Sequence, residues 1–203
     1  MKAKTRIYLI RHGEIAGSEI SRYNGQMEVP LTPKGLDQYH LLAERLKNFP
    51  VSACYTSDLT RCVQGAEILC NGREIPFQAR RELRELSFGE WEGMAWTELA
   101  EKFPEAWKNR MKGFVEFRAP GGENLLDLRD RVVPAIHEIV ARHPGEEVIV
   151  VGHGGVNRVI LLDALGTPPS SMFRIEQDYG CLNIIDYYED GNPVVKLLNG
   201  SSP

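Results

Sequence analysis

Two apolar runs, far apart along the chain, end in the same way. Residues 7–10 are followed by Arg11 and His12, and residues 148–151 are followed by a glycine and His153. Runs of this length and β-branched content predict buried strands of a parallel sheet. Open α/β sheets gather ligands at the carboxyl ends of their strands, so the pattern predicts that both histidines face one crevice.

Shorter apolar runs predict five further strands. They cover residues 51–57, 75–79, 172–176, 181–187 and 194–198. Pro76 places the second of these toward a sheet edge, because proline cannot donate to a strand ladder. A turn-forming segment at 189–192 predicts a hairpin between the last two.

Apolar residues at helical spacing predict five helices. They cover residues 33–48, 59–69, 96–112, 125–140 and 156–165. Thr32 suits an N-cap and Pro33 a first helical position. Ser57 or Asp58 is expected to cap the second helix, and Pro134 is expected to kink or break the fourth.

Composition narrows the class of protein. The chain has 203 residues, which suits one domain with a small cap, and a formal net charge of -4 argues against nucleic acid as the main partner. No apolar run approaches the ~20 residues that span a bilayer, so we expect a soluble, cytoplasmic protein without a membrane partner. The four cysteines show no C-x-x-C pair and are expected to be buried or free thiols.

Three other segments offer polar groups to the crevice. Residues 14–30 lack periodicity and predict a loop, within which Asn24 and Gly25 favour a turn that presents backbone N–H groups. Arg61 lies in the first turn of a helix, where anions already bind well. Residues 83–93 mix charges, large apolar groups and glycines, which favours a loop that holds a carboxylate for general acid work.

Two histidines, two arginines and a carboxylate are the groups that phosphoryl transfer through a phosphohistidine requires. Neither histidine alone would carry this prediction, because a lone histidine after a strand is usually a structural residue. A zinc site fits less well, since the chain lacks H-E-x-x-H and close His/Asp spacing. We therefore expect no metal and no other cofactor.

The sequence resembles the histidine phosphatase (phosphoglycerate mutase-like) superfamily over nearly its whole length. The matching segments, in the family's order, are 9–14, 22–25, 30–35, 57–61, 83–93, 120–123 and 152–155. The resemblance implies an α/β fold: a three-layer α/β/α sandwich with a mainly parallel central sheet. It also implies one domain over residues 1–203, with 86–122 as a small cap over the site.

The resemblance also implies roles for particular residues. His12 would be the phosphorylated nucleophile and Glu85 the proton donor. The phosphoryl group would be held by Arg11, Arg61 and His153. Asn24, Gly25 and Gly154 would line the phosphate pocket. The chain departs from the family at Cys62 and Gly65, where we expect effects on helix packing or stability more than on chemistry.

Within the superfamily, the short stretch between the Glu85 loop and the Pro120 turn favours hydrolysis over mutase activity, because a mutase needs a larger basic cap. Segments 88–92, 153–158 and 178–181 resemble α-ribazole phosphatases, which implies a small-molecule phosphomonoester, α-ribazole 5'-phosphate, as the substrate in cobalamin lower-ligand assembly. A phosphoglycerate mutase, a broad-specificity phosphatase and a non-catalytic binder of phosphorylated ligands remain alternatives. The oligomeric state stays open, a homodimer included.

Overall fold

The computed structural model describes residues 4–201 and contains one six-stranded sheet. The strands are β1 (Lys4–Arg11), β2 (Val51–Ser57), β3 (Phe77–Arg80), β4 (Glu147–Gly152), β5 (Leu182–Tyr188) and β6 (Pro193–Gly200). Their order in the sheet is β3-β2-β4-β1-β5-β6. The first four strands are parallel to one another, β5 is antiparallel to β1, and β6 is antiparallel to β5. β1 and β4 are neighbours, which is the arrangement that brings both histidines to one crevice. β3 begins after Pro76 and forms an edge.

Residues 4–201 contain six α-helices. They are α1 (Pro33–Leu46), α2 (Thr60–Cys70), α3 (Trp96–Lys102), α4 (Pro104–Lys112), α5 (Leu125–Arg142) and α6 (Gly154–Ala164). Alternate residues of β1 point to opposite faces: Ile7 and Leu9 pack in the cluster with α5 and α6, whereas Tyr8 and Ile10 pack in the cluster with α1 and α2. This alternation produces the expected three-layer α/β/α sandwich.

Local chain signals explain where several elements begin and end. The Thr32 hydroxyl accepts a hydrogen bond from Gly35 N at 3.0 Å, which caps α1 as predicted. Gly166, with φ +61°, follows the end of α6. All four cysteines are buried free thiols, as expected.

Three local predictions were wrong. The region predicted as one helix over 96–112 is two, because Phe103 leaves the helical conformation before Pro104 begins α4. The predicted strand at 172–176 is occupied largely by a 3₁₀ segment, Pro169–Arg174. α2 starts after Leu59 with no side-chain cap. α5 continues past Pro134, so the chain has no break there, and the alternative of a kink stays a prediction.

Residues 86–122 hold α3, α4 and the short 3₁₀ turn Gly89–Trp91. Their aromatic side chains form a small cluster with Tyr23, apart from the two main clusters on the sheet. Treating 86–122 as the cap of a single domain remains a prediction. Within residues 4–201, no helix combines the length and apolar composition needed to cross a bilayer.

Candidate active site

The two histidines come together because β1 and β4 end side by side. Arg11 and Gly152 are register partners in the parallel pair, so the next residues, His12 and His153, leave the sheet at the same edge. Their ring centroids are 5.2 Å apart in an edge-to-face arrangement. A group bound at this edge would lie beside the His12 ring, with the fully buried His153 ring next to it.

His12 is held in one tautomer. Its Nδ1 lies 2.8 Å from the carbonyl oxygen of Gly13, and since a carbonyl only accepts, Nδ1 carries the proton. The other ring nitrogen, Nε2, has no hydrogen-bond partner within residues 4–201 and keeps its lone pair. Burial lowers the pKa of His12 well below its usual value, and the charges of Arg11 and Arg61 lower it further. His12 is therefore a neutral imidazole with a free nitrogen.

His153 is fully buried at the N-terminus of α6. Its Nε2 lies 2.9 Å from the hydroxyl of Ser57, and the thiol of Cys62 is 3.5 Å from the same nitrogen. Burial lowers the pKa of His153 well below its usual value, and the nearby Arg61 adds to the effect. The His153 ring is therefore also neutral.

Three arginines line one polar cavity of about 170 Å³. Arg11, Arg22 and Arg61 each have a buried Nε that lacks a hydrogen-bond partner within residues 4–201. A buried donor without an acceptor is costly, and a guanidinium more so. His12 and Glu85 line the same cavity. The cavity is built to receive an anion with several acceptor oxygens.

Backbone carbonyls orient two of these guanidiniums. Arg61 donates to Met27 O at 2.7 Å and to Gly25 O at 2.8 Å. Arg11 donates through Nη1 to the Gln177 carbonyl, and its guanidinium stacks 3.9 Å from the centre of the Tyr179 ring. Such contacts hold the charges in place without neutralising them.

The loop at Asn24 and Gly25 depends on a carboxylate that sequence reasoning did not select. Gly25 has φ +49°, and a Cβ there would lie 2.2 Å from Glu92 Oε1. The Glu92 carboxylate accepts from the backbone N–H of Gln26 and that of Phe88, both at 3.0 Å. Glu92 thereby ties the Asn24 turn to the loop that carries Glu85.

Glu85 lies at the carboxyl edge of the sheet because backbone and side-chain contacts fix its loop. Its two carboxylate oxygens accept from Leu86 N at 2.8 Å and Gly155 N at 2.9 Å. Its carbonyl accepts from Arg131 at 2.8 Å, and Arg131 forms a two-bond ion pair with Glu123. The carboxylate therefore has a defined position beside the His12 cavity.

The structure brings most of the expected site residues around this one cavity. Those that line it are Arg11, His12, Asn24, Gly25, Arg61 and Glu85. His153 contacts the His12 ring from behind, and a Cβ on Gly154 would lie 3.4 Å from Arg11 Nε. Sequence reasoning missed Arg22 and Tyr179, although both lie in segments that carry the resemblance.

No group of three or more His, Cys, Asp or Glu residues suited to a metal ion occurs within residues 4–201. The positive charge around the cavity comes instead from guanidinium groups. An imidazole with a free lone pair, three guanidiniums and a carboxylate define a site of the kind that handles phosphate esters.

Comparison with known proteins agrees with this class of site. The sequence profile of the histidine phosphatase superfamily (branch 1) matches residues 7–200, and the chain belongs to that superfamily. A metal-independent phosphoserine phosphatase of Arabidopsis thaliana is 40% identical over 162 residues, covering 78% of this chain and 68% of that protein. An adenosylcobalamin/alpha-ribazole phosphatase of Salmonella typhimurium is 28% identical, covering 96% of each chain.

A solved structure shows the same fold. The alpha-ribazole phosphatase of Shigella flexneri superposes with a TM-score of 0.90 at 26% identity, covering 96% of each chain. The phosphoglycerate mutase-like α/β fold and the superfamily inferred from the motifs are both confirmed. The phosphatase-named relatives support a phosphatase function for this chain.

Proposed function

We propose that this protein is a metal-independent phosphomonoesterase that acts through a phosphohistidine on His12. One observation carries the proposal: a neutral imidazole with a free Nε2 borders a small cavity where three guanidiniums each leave a buried N–H unpaired. A phosphate dianion in this cavity would lie beside all three guanidinium charges. The guanidiniums then stabilise the charge that spreads over the equatorial oxygens in the transition state.

In the first step, the lone pair of His12 Nε2 attacks phosphorus as the bond from phosphorus to the ester oxygen breaks. Glu85 starts as the carboxylic acid and gives its proton to the departing oxygen. Arg11, Arg61 and His153 hold the phosphoryl oxygens, together with Asn24 and the backbone N–H groups of Gly25 and Gly154. The alcohol leaves, and His12 carries the phosphoryl group.

In the second step, water attacks phosphorus from the side that the alcohol has left. Glu85, now a carboxylate, takes a proton from that water. The bond from phosphorus to Nε2 breaks, inorganic phosphate is released, and His12 returns to its neutral form. Both carboxylate oxygens remain oriented by the N–H groups of Leu86 and Gly155.

As a specific substrate we propose α-ribazole 5'-phosphate, which would place the protein in cobalamin lower-ligand assembly in the cytoplasm. Support comes from the names of the Salmonella and Shigella relatives, which align over 96% of this chain. Phosphoserine is the second candidate, because the Arabidopsis relative carries that name at 40% identity. A homodimer would be compatible with this site but is not required by it.

A panel of phosphomonoesters tests the proposal. We expect release of inorganic phosphate from an aryl phosphate, with unchanged rates in EDTA. Loss of activity on chelation, restored by zinc, would contradict the proposal that hydrolysis needs no metal ion. Phosphate that moves between positions of phosphoglycerate without appearing in solution would indicate a mutase. Binding without turnover would indicate a phospholigand-binding protein.

The pH profile should reflect the lowered pKa of His12. Because burial and then Arg11 and Arg61 lower this pKa in the free enzyme, the ring stays neutral below pH 6.5, and the acidic limb of kcat/KM should lie below that value. Arg61→Met removes one of the charges, so the limb should move to higher pH. Arg61→Lys keeps the charge and should leave the limb nearly in place.

Both variants are compared with the wild type on the same substrate, so that titration of the substrate phosphate cancels. Identical limbs in wild type and Arg61→Met would argue against His12 as the titrating nucleophile. Rates are measured from about pH 4 to 8, so that the series extends below the range in which an unperturbed histidine changes charge.

Gly155 should be needed to keep Glu85 in position. A Cβ at this residue would lie 2.3 Å from Glu85 Oε1, so Gly155→Ala must displace the carboxylate. A shift of about 1 Å in a catalytic group costs on the order of 10²-fold in rate, and we expect kcat to fall by that amount. Gly113→Ala is the matched control, because its Cβ would have no neighbour closer than 4.0 Å. Wild-type kcat in Gly155→Ala would contradict the role of Glu85.

A further inference from the structure

A second, larger cavity opens beside the phosphate cavity. Its volume is about 460 Å³, within the range of pockets that hold drug-sized ligands. Tyr23, Glu85 and Phe88 line both cavities. An ester whose phosphate sits beside His12, with its leaving oxygen at Glu85, would therefore extend its alcohol portion into this second space.

The second cavity has mainly apolar walls. The apolar side chains come from the loop that carries Glu85, from α4 and α5, from the residues just after α4, and from the 3₁₀ segment Pro169–Arg174. They are Leu86, Phe88, Met111, Phe114, Leu125, Met172 and Phe173. Two of these remain strongly exposed, Phe173 at 63% and Met111 at 55%. The Phe114 and Phe173 rings lie 4.7 Å apart. Apolar side chains left exposed around a cavity are typical of a ligand-binding rim.

One charged group lies in this apolar wall. Arg110 keeps only 8% of its surface exposed, and its guanidinium lies 5.9 Å from the Tyr23 ring centre and 5.7 Å from that of Phe114. No Asp or Glu within residues 4–201 forms an ion pair with it, although Arg84, Arg118 and Arg131 all have such partners. The Tyr23 hydroxyl hydrogen-bonds with this guanidinium but leaves its positive charge uncompensated. That charge favours an acceptor oxygen on the ligand that fills the cavity.

We propose that this cavity is the leaving-group subsite, and that it selects phosphomonoesters of bulky, mainly aromatic alcohols that carry an oxygen acceptor for Arg110. The inference rests on the proposed function, because it takes the phosphate to bind beside His12. Serine and glycerate are too small and too polar to cover the apolar walls. Both would leave Phe114 and Phe173 in contact with water.

The size preference is tested with 1-naphthyl phosphate and phenyl phosphate, whose leaving groups are similar in chemistry and differ by one ring. Burial of the extra ring should raise kcat/KM about tenfold, the change expected for some 50 Å² of apolar surface. Phe173→Ala should lower kcat/KM more for 1-naphthyl phosphate than for phenyl phosphate, and so remove most of this difference. Phe49→Ala is the matched control, because Phe49 is also exposed and packs on Tyr8 instead.

The acceptor preference is tested with naphthyl phosphates that do or do not carry a carboxylate on the second ring. We expect the carboxylate to raise kcat/KM by about tenfold or more, as charged hydrogen bonds do. Arg110→Met should abolish that increase, and Arg110→Lys should keep part of it. An equal effect of Arg110→Met on both esters would overturn the assignment of Arg110.

The failure of this inference can be told apart from that of the proposed function. If every ester is hydrolysed at a similar kcat/KM and Phe173→Ala has no selective effect, the subsite is wrong and the phosphatase stands. If no ester is hydrolysed, calorimetric binding of 1-naphthyl and phenyl phosphate still reports on the cavity. Equal affinities for 1-naphthyl and phenyl phosphate, unchanged by Phe173→Ala, would overturn the assignment of the leaving-group subsite.

Discussion

Replacing His12 with alanine is expected to lower kcat/KM for an aryl phosphate by about 10⁴-fold or more, because the variant has no atom to accept the phosphoryl group. Neighbouring guanidiniums would still bind phosphate, so affinity for inorganic phosphate should survive. Labelled substrate quenched in alkali should leave acid-labile phosphate on the wild type and none on His12→Ala. Steady-state rates and this trapping assay together measure the effect.

His40→Ala is the matched control for that experiment. His40 is exposed on α1 and does not line the cavity, so its loss should change neither the rate nor the labelling. Equal labelling of His12→Ala and wild type would place the covalent intermediate elsewhere. The proposed mechanism would then be wrong at its first step.

Replacing Glu85 with glutamine should give the second largest effect, and its size should depend on the leaving group. An alkyl phosphate needs a proton on the departing oxygen, so its kcat/KM should fall by about 10²- to 10⁴-fold. The nitrophenolate of a nitrophenyl phosphate leaves as a stable anion, so kcat/KM for that ester should fall much less. The measurement is kcat/KM for both esters in both proteins, because this ratio covers the steps up to loss of the alcohol and leaves out the hydrolysis step that the two esters share.

Glu82→Gln serves as the control for charge removal in the same region. Glu82 is half exposed and pairs with Arg80, away from the cavity. Glu82→Gln should leave kcat/KM for both esters unchanged. If Glu85→Gln slowed the two esters equally, Glu85 would not be the proton donor to the leaving oxygen, and it would act only by orienting the site.

Helix and strand prediction succeeded where a few adjacent residues fix the conformation, and failed where packing against a distant segment fixes it. The Thr32 and Pro33 start of α1 is such a local signal. The segment after Gly166 is apolar enough to suggest a strand at 172–176, yet Met172 packs in the cluster formed with α5 and α6, and the backbone forms a 3₁₀ segment. Tertiary packing overrides a weak local preference in that segment.

The departure at Gly65 illustrates the same limit. Sequence comparison alone indicated an effect on helix packing at this residue. In the structure, a Cβ at Gly65 would lie 1.9 Å from the Tyr39 ring, whose hydroxyl donates to the Arg61 carbonyl at 3.1 Å. The glycine therefore makes room for a tyrosine that supports the start of α2, where Arg61 lies. Only the contact between α1 and α2 reveals this.

The amino-acid sequence by itself determined the sheet edge at which the chemistry occurs. Two buried runs that each end in a histidine predict two parallel strands with a histidine at the carboxyl end, because hydrophobic periodicity and chain-turning glycines are local properties of the chain. Only the tertiary structure made those two strands neighbours. The tertiary structure decided which other side chains reach that edge. Arg22, Tyr179 and Glu92 join the site, and Arg110 joins an apolar cavity beside it, through contacts between distant segments that no local pattern encodes.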